Sequence, residues 1–552
     1  MDENQGNPLL VRLRRRLSEG AISRRSFLRA AALLGVAAPL AYDMAGLSGG
    51  EAAAATTSGK GPAGGRLSFG MRIQPIDSPH ALSWLQPANL VQQVCQPLTW
   101  TGFDNVTRPH LLSSWRASPD LRSWDLFLRQ DVNWHNGRRF TADDVIWNLR
   151  HLLDPATGSS TLGLMQSYLL QDNPALVSDG PALWDAAAIE KIDDFHVRLN
   201  LKRPQVAVPE HLFHYTNVML DPEDDGRFGV GANGTGPFTL REFAVGEGAL
   251  LSAVEKADGS RACIDELAFV DLGDDPAAAT AALLSGQVDG LDRCDYSVAE
   301  SLAAHTDFTV HRTATSATAM LQMKVNQAPF DDVRVRRAMR LAIDTAAVTE
   351  LALRGFGSPA EHHLVSPAHP DYAALPAFEP DPDQARRLLA EAGYPNGIDI
   401  EITCKNWPGW ELAAVQAMVE QYREADIRAT IDLMPAARFW EVWNEAPLAF
   451  VEWAPRPLGF MLPGLTLRSN VPWNSTGFSD AEVDTLILEA EAMLDVERRR
   501  EVLRRLEQRI QDIGPMVQPS WLSVVTVVSK KVKGFRLHPT TLLSAADYSV
   551  VS

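Results

Sequence analysis

The stretch SSWRASPDLRSWDLFLRQDVNWHNGRRFTADDVIWNLRHLLDP, Ser113 to Pro155, decides the fold. Through SWDLFLRQDVNWH, apolar and polar residues alternate with the period of a half-buried strand. HNGR, from His135, supplies the turn residues that end it. The period then changes. In FTADDVIWNLRHLLD, Thr141 can cap a helix and Asp144, three residues on, completes a capping box. Val145, Leu149, Leu152 and Leu153 form its apolar stripe. Strand, tight corner and amphipathic helix follow one another.

The same grammar recurs along the chain. In DPDQARRLLAEAGYPNG, Asp381 caps, Pro382 takes the first helical position and Gly393 stops the helix. FSDAEVDTLILEAEAML opens with Ser479 and Glu482 as a capping box, and VERRREVLRRLEQRIQDIG reads as an amphipathic surface helix. PFDDVRVRRAMRLAID puts Asp331 or Asp332 at a helix start, with Val333, Val335, Met339 and Ala342 toward a core and the arginines outside. GTGP (Gly234 to Pro237) is a tight corner whose glycines permit unusual dihedrals. GIDIEITCK and AFVDLGD are short strands between helices. The mixture predicts an α/β protein with helices packed on sheets. After the first segment there is no internal repeat and no long low-complexity linker.

At 552 residues the chain can build two or three lobes, and 45% hydrophobic with 22% charged residues is a globular composition. A formal charge of -18 excludes nucleic acid and anionic membrane surfaces as partners, because both need a Lys/Arg excess. SRRSFLR (Ser23 to Arg29), the apolar run Ala30 to Tyr42 and the small-residue stretch EAAAATTSGKGPAGG have the order of a secretory leader. Paired arginines before Phe27 and Leu28 resemble a twin-arginine export signal. Cleavage is expected after Ala55, giving a leader of residues 1–55 and a periplasmic body. The apolar run is too short for a permanent anchor.

Export makes the four cysteines, Cys95, Cys263, Cys294 and Cys404, candidates for oxidation. Cys263 and Cys294 could bridge; buried free thiols are the other reading. None stands in a C-x-x-C pair or a Cys/His zinc spacing. GVGANG (Gly229 to Gly234) matches G-x-G-x-x-G, but the strand-like TGPFTLREF follows where a phosphate-binding helix must start. G-x-S-x-G, H-E-x-x-H and the P-loop pattern are absent. His362 and His363 are adjacent, so their side chains diverge, and His135 reads as a structural corner residue. No catalytic residue, cofactor site or metal site emerges.

Five ordered blocks carry a resemblance: the opening stretch, GTGPFTLREFAVGEGALL, KVNQAPFDDVRVRRAMRLAID, ARRLLAEAGYPNG and GFSDAEVDTLILEAEAML. The chain resembles, from about Arg66 to its end, the family 5 extracellular solute-binding proteins of peptide, nickel and opine ABC transporters. The resemblance implies a bilobal periplasmic-binding-protein fold of the large peptide-binder subclass, with an extra subdomain inserted in the first lobe. Lobe I would comprise 56–97, 223–315 and 519–552, the insert 98–222, and lobe II 316–518. It implies a monomeric receptor that closes on a small solute and delivers it to an inner-membrane permease.

The resemblance also directs attention to EWAPRPLGF, Glu452 to Phe460. Peptide-binding members commonly carry A-D-Y-x-x-P after a tryptophan, and the aspartate pairs with the peptide's α-amine. Here Trp453 keeps its place and Arg456 falls where the acid would be, between Pro455 and Pro457. The anchoring charge is reversed, so a carboxylate or phosphate is the expected partner; an internal pair with Glu452 is the alternative. Of fourteen tryptophans, Trp440, Trp443, Trp453 and Trp473 cluster in this region. Trp473 and Asn474, in SNVPWNSTGF, and Asn326, near the crossover, are further expected ligand contacts; for Asn326 a turn hydrogen bond is the plainer reading. The expected cargo is a peptide, an opine or a related anion. A nickel or metal-chelate carrier and a secreted hydrolase are the competing classes, and neither has a recognisable residue set.

Overall fold

The structure, a computed structural model, describes residues 8–20, 27, 28, 31, 64–82, 85–171, 182–255, 259–376, 378–471 and 473–551. The leader's paired arginines, Arg24 and Arg25, and its expected cleavage site lie outside the described residues. The helix Pro8–Ser18 is described, and Arg16 Nη1 reaches Asp495 Oδ2 at 3.1 Å.

An 11-stranded sheet runs through the molecule. Its two central strands, Phe308–Met323 and Met516–Ser529, are antiparallel and are the longest. On one side they lead through Leu448–Trp453 to Ile398–Lys405 and Ile427–Met434. On the other they lead through Gly290–Leu291 to Arg66–Gly70, Glu266–Val270, Gly248–Ala253 and Phe238–Ala244. The long pair keeps register from Phe308↔Ser529 to Ala314↔Ser523, slips, and resumes at Thr318↔Trp521. Such irregularities bend and twist a ladder. The bend lies where the sheet passes from one lobe's strands to the other's, so the fold is bilobal α/β with crossing strands.

A separate antiparallel sheet belongs to the inserted subdomain. Its strands lie in the order Leu112–Ala117, Ser123–Leu128, His196–Asn200, Ile189–Asp193. The opening stretch therefore forms a strand and then a helix, but the strand ends at Leu128, and the remainder, RQDVNWH, is irregular apart from an isolated bridge between Asn133 and Arg139. Its helix, Ala142–Leu153, begins on the Thr141/Asp144 capping box, and Thr141 N donates to Asp144 Oδ2 at 2.8 Å. The insert's core is continuous with apolar residues of the other lobe, among them Leu458, Phe460, Leu486 and Leu503.

Several local expectations need correction. The cap of Ala481–Glu491 is Asp480, which accepts from Val483 N at 3.0 Å; Ser479 instead shares a hydrogen bond with Ser469. The arginines of Val333–Leu341 are not all outside. Arg336 and Arg340 are buried, while Val333 is exposed. Arg340 donates to the carbonyls of Gly514 (2.6 Å) and Asp512 (3.0 Å), and Arg336 to that of Ile513, so both cap the C-terminus of the helix Val496–Ile513. Those carbonyls lack intrahelical partners and carry the negative end of the dipole, which accounts for the burial. In GTGP the reason for glycine is close approach. A Cβ on Gly234 would lie 2.0 Å from Val94 O, and one on Gly236 2.4 Å from Gln93 O. His135 holds this corner, its ring bonding the Gly236 carbonyl at 2.9 Å and accepting from Gly234 N at 3.2 Å.

Candidate ligand cleft

A cleft of ≈ 990 Å³ opens beside the bend of the long strands. Ala317 and Leu522 to Val525 form its base. Gly70 to Arg72, Gln86 and Asp292 to Tyr296 line one side, and Lys405, Trp407, Trp410, Trp440, Trp443, Trp473 and Glu452 to Arg456 the other. Gly158 to Ser160 and Tyr215, from the insert, close a third side. The volume lies at the upper end of the roughly 300–1,000 Å³ that holds a drug-sized ligand.

Arg456 is held rigidly. Its backbone N donates to Ser316 Oγ at 2.9 Å, and that hydroxyl donates back to Arg456 O at 2.6 Å. His369 reaches the same carbonyl through Nε2 at 2.9 Å, and its Nδ1 accepts from Ser366 N at 2.9 Å. Asp371 accepts from Gly459 N at 3.1 Å and pairs with the buried Arg499 at 2.7 Å. The crossing strand, a histidine and a buried ion pair thus fasten the segment that carries the guanidinium.

The guanidinium itself has no acidic partner among the described residues. Its hydrogen bonds run from Nη1 to the carbonyls of Ala454 (3.3 Å) and Pro455 (3.1 Å), and Nε is buried without an acceptor. The alternative pairing with Glu452 does not form. Arg456 is 7% exposed, and burial pulls its pKa below the ordinary value, with Tyr215 acting in the opposite direction. Around it stand neutral groups. Ser160 Oγ lies 2.8 Å from His214 Nε2 and 3.4 Å from Tyr215 OH. Burial, reinforced by the positive charge of Arg456, holds the His214 pKa well below the ordinary imidazole value. The result is a positive pocket with hydroxyls beside it.

Several other charged groups of the cleft have partners. Lys405 pairs with the buried Glu411, whose carboxyl is pushed up to about 7 by burial and pulled back by Lys405. Arg72 bonds Asp271 at 3.1 Å and Asp274 at 2.6 Å. Burial raises Asp292 to about 6, and Gln86 Nε2 donates to it at 2.9 Å.

Of the residues expected at the ligand, Arg456, Trp453 and Trp473 line the cleft. Asn326 and Asn474 do not. Asn326 is exposed beside Gly477. Asn474 spends its side chain on its own loop, donating to Arg468 O (3.0 Å) and Phe478 O (2.7 Å) and accepting from Thr476 Oγ1 (2.8 Å). Sequence reasoning missed Tyr215, Ser160 and Asp292, which come from segments without a motif, and Trp407 and Trp410, whose KNWPGW setting was a usable signal.

A bilobal body with a solute-sized cleft at its crossing strands is matched by sequence. Residues 107–468 match the bacterial extracellular solute-binding proteins, family 5. The chain belongs to that family. It is similar to heme-binding protein A of Haemophilus influenzae, 23% identical over 470 residues, covering 78% of this chain and 82% of the relative. It is similar to the glutathione-binding protein GsiB of Pectobacterium atrosepticum, 25% identical over 467 residues, covering 79% and 84%. Among solved structures, the binding protein AgaA from A.tumefacien R10 in complex with agropinic acid superposes with a TM-score of 0.76 at 22% identity, over 88% of this chain and 99% of that one. Family 5 membership makes this protein a substrate-binding component of an ABC importer. Among the described residues no group of three or more His, Cys, Asp or Glu could hold a metal ion, and no helix is long and apolar enough to cross a membrane. The four cysteines are free thiols.

Proposed function

We propose that this protein captures an anionic, peptide-sized organic solute in the cleft and hands it unchanged to an inner-membrane permease. One observation carries the reading: a buried arginine on the cleft wall, Arg456, has no carboxylate partner among the described residues. Leaving a guanidinium buried and unpaired costs stability, which a bound carboxylate would offset through charge-assisted hydrogen bonds. Glutathione and agropinic acid, named for a relative and a structural neighbour, both carry carboxyl groups. The solute would draw the two lobes together across the bend at Ala314 to Thr318, shifting the population toward the closed form. The leader's paired arginines support export in folded form to the periplasm, where the body acts as a monomer. No catalytic step is required of any residue in the cleft.

The test is mass spectrometry of small molecules released from protein purified from its own host. Recovery of a carboxylate or phosphate compound in near-stoichiometric amount is expected. A recovered cation or neutral solute would overturn the anionic assignment.

A further inference from the structure

Resting on the receptor reading, we propose that the solute joins its anionic group to an aromatic ring, as in an aromatic amino-acid conjugate or a peptide ending in an aromatic residue. The observation is the wall beside Arg456. Among the described residues six tryptophans line this one cleft: Trp407, Trp410, Trp440, Trp443, Trp453 and Trp473. Only Trp453 is buried; Trp440 is 36% exposed and the other four are half-buried. A core tryptophan would be covered. These leave indole surface open to solvent in the cleft, which is unfavourable unless something apolar covers it.

Four of the rings also form a continuous chain. Trp440 and Trp443 have centroids 6.1 Å apart at 78°, Trp443 and Trp453 5.9 Å at 77°, and Trp453 and Trp473 5.8 Å at 56°. Edges and faces alternate, so an inserted ring meets both and can adopt the offset or edge-to-face contacts that aromatic pairs prefer. The wall reaches Arg456 directly, because Trp453 ends the strand from which the Arg456 segment leaves.

An aromatic cage for a cation is the competing reading, and the wall's own charges disfavour it. Lys405 Nζ stands 5.2 Å from the Trp440 ring centre, and the Arg293 guanidinium 5.7 Å from that of Trp407. Protein cations therefore already hold the positions a ligand cation would seek. What remains is apolar ring surface next to an unpaired guanidinium, and that pairing fits an aryl anion.

Calorimetric titration of the full mature protein with three probes tests this: N-acetyl-phenylalanine, N-acetyl-alanine and N-acetyl-phenylalanine amide. The first should bind at least about tenfold more tightly than either of the others, since one lacks the ring and the other the charge. Trp473→Ala should weaken the phenylalanine probe and leave the alanine probe nearly unchanged. Equal binding of the alanine probe, equal binding of the amide, or no binding of any probe up to about 1 mM overturns the proposal. Recovery of an aliphatic or sugar-based anion from the native protein overturns the ring while leaving the receptor reading standing. No recovered solute together with no probe binding removes both.

Discussion

Arg456→Met, set against Arg499→Met, separates a guanidinium kept for a ligand from one kept for the fold. Both arginines are buried, at 7% and 1% exposure. Arg499 pairs with Asp371 at 2.7 Å, and Asp371 is itself fully buried. Removing Arg499 strands a buried carboxylate, which costs roughly 3–5 kcal/mol and lowers the melting temperature markedly. Removing Arg456 strands no charge. It frees only the carbonyls of Ala454 and Pro455, which border the cleft and can be rehydrated. It also relieves the desolvation that depresses the guanidinium's pKa. The unliganded Arg456→Met protein should therefore melt at the wild-type temperature or up to about a few degrees higher. Binding should move the other way. A charge-assisted contact contributes about 1.5–3 kcal/mol, so affinity for the anionic solute should fall about ten- to hundredfold. Differential scanning calorimetry of both unliganded variants and calorimetric titration of Arg456→Met give the two readouts. A large melting loss in Arg456→Met with unchanged affinity would show that the arginine is structural and refute the reasoning.

Ser316→Ala removes the hydroxyl that both accepts from and donates to the Arg456 backbone; one buried N–H is left unpaired, so titration should show affinity weakened severalfold with about 1–3 kcal/mol of stability lost. Glu507 is fully buried, and its carboxyl is pushed up from 4.5 to about 9 by burial and by Glu361 and Asp371, so it is protonated at neutral pH. Its folded value is raised, so its contribution is complete below pH 4.5 and is lost as pH climbs to about 9. Glu507→Gln should accordingly match wild type below pH 4.5 and melt higher above it, with the gap widening until about pH 9; parallel melting curves across that range would contradict the burial effect. Gly236→Ala places a Cβ 2.4 Å from Gln93 O, a backbone atom that cannot swing aside; a loss of about 2–4 kcal/mol in denaturant unfolding is expected.

What the chain disclosed in advance was local. The Thr141/Asp144 box, the Asp381 cap and the alternation in SWDLFL act within a few residues, and each formed where its pattern stood. The pattern puts Ser479 at the cap of its helix, but the neighbouring Asp480 offers a carboxylate and became the cap. Arginines were the hardest residues to read. Arg336, Arg340 and Arg499 sit in patterns that look like solvated helix faces, yet each is buried because its acceptor lies in another segment. A sequence period reports which side of a helix is greasy; it does not report a carbonyl or carboxylate waiting across the fold. Arg456 inverts this case. Its proline setting marked it as unusual, but the property that matters is that no carboxylate meets it among the described residues, and that is visible only in three dimensions. In a receptor, a buried arginine without a partner is half of an interaction whose other half arrives with the cargo.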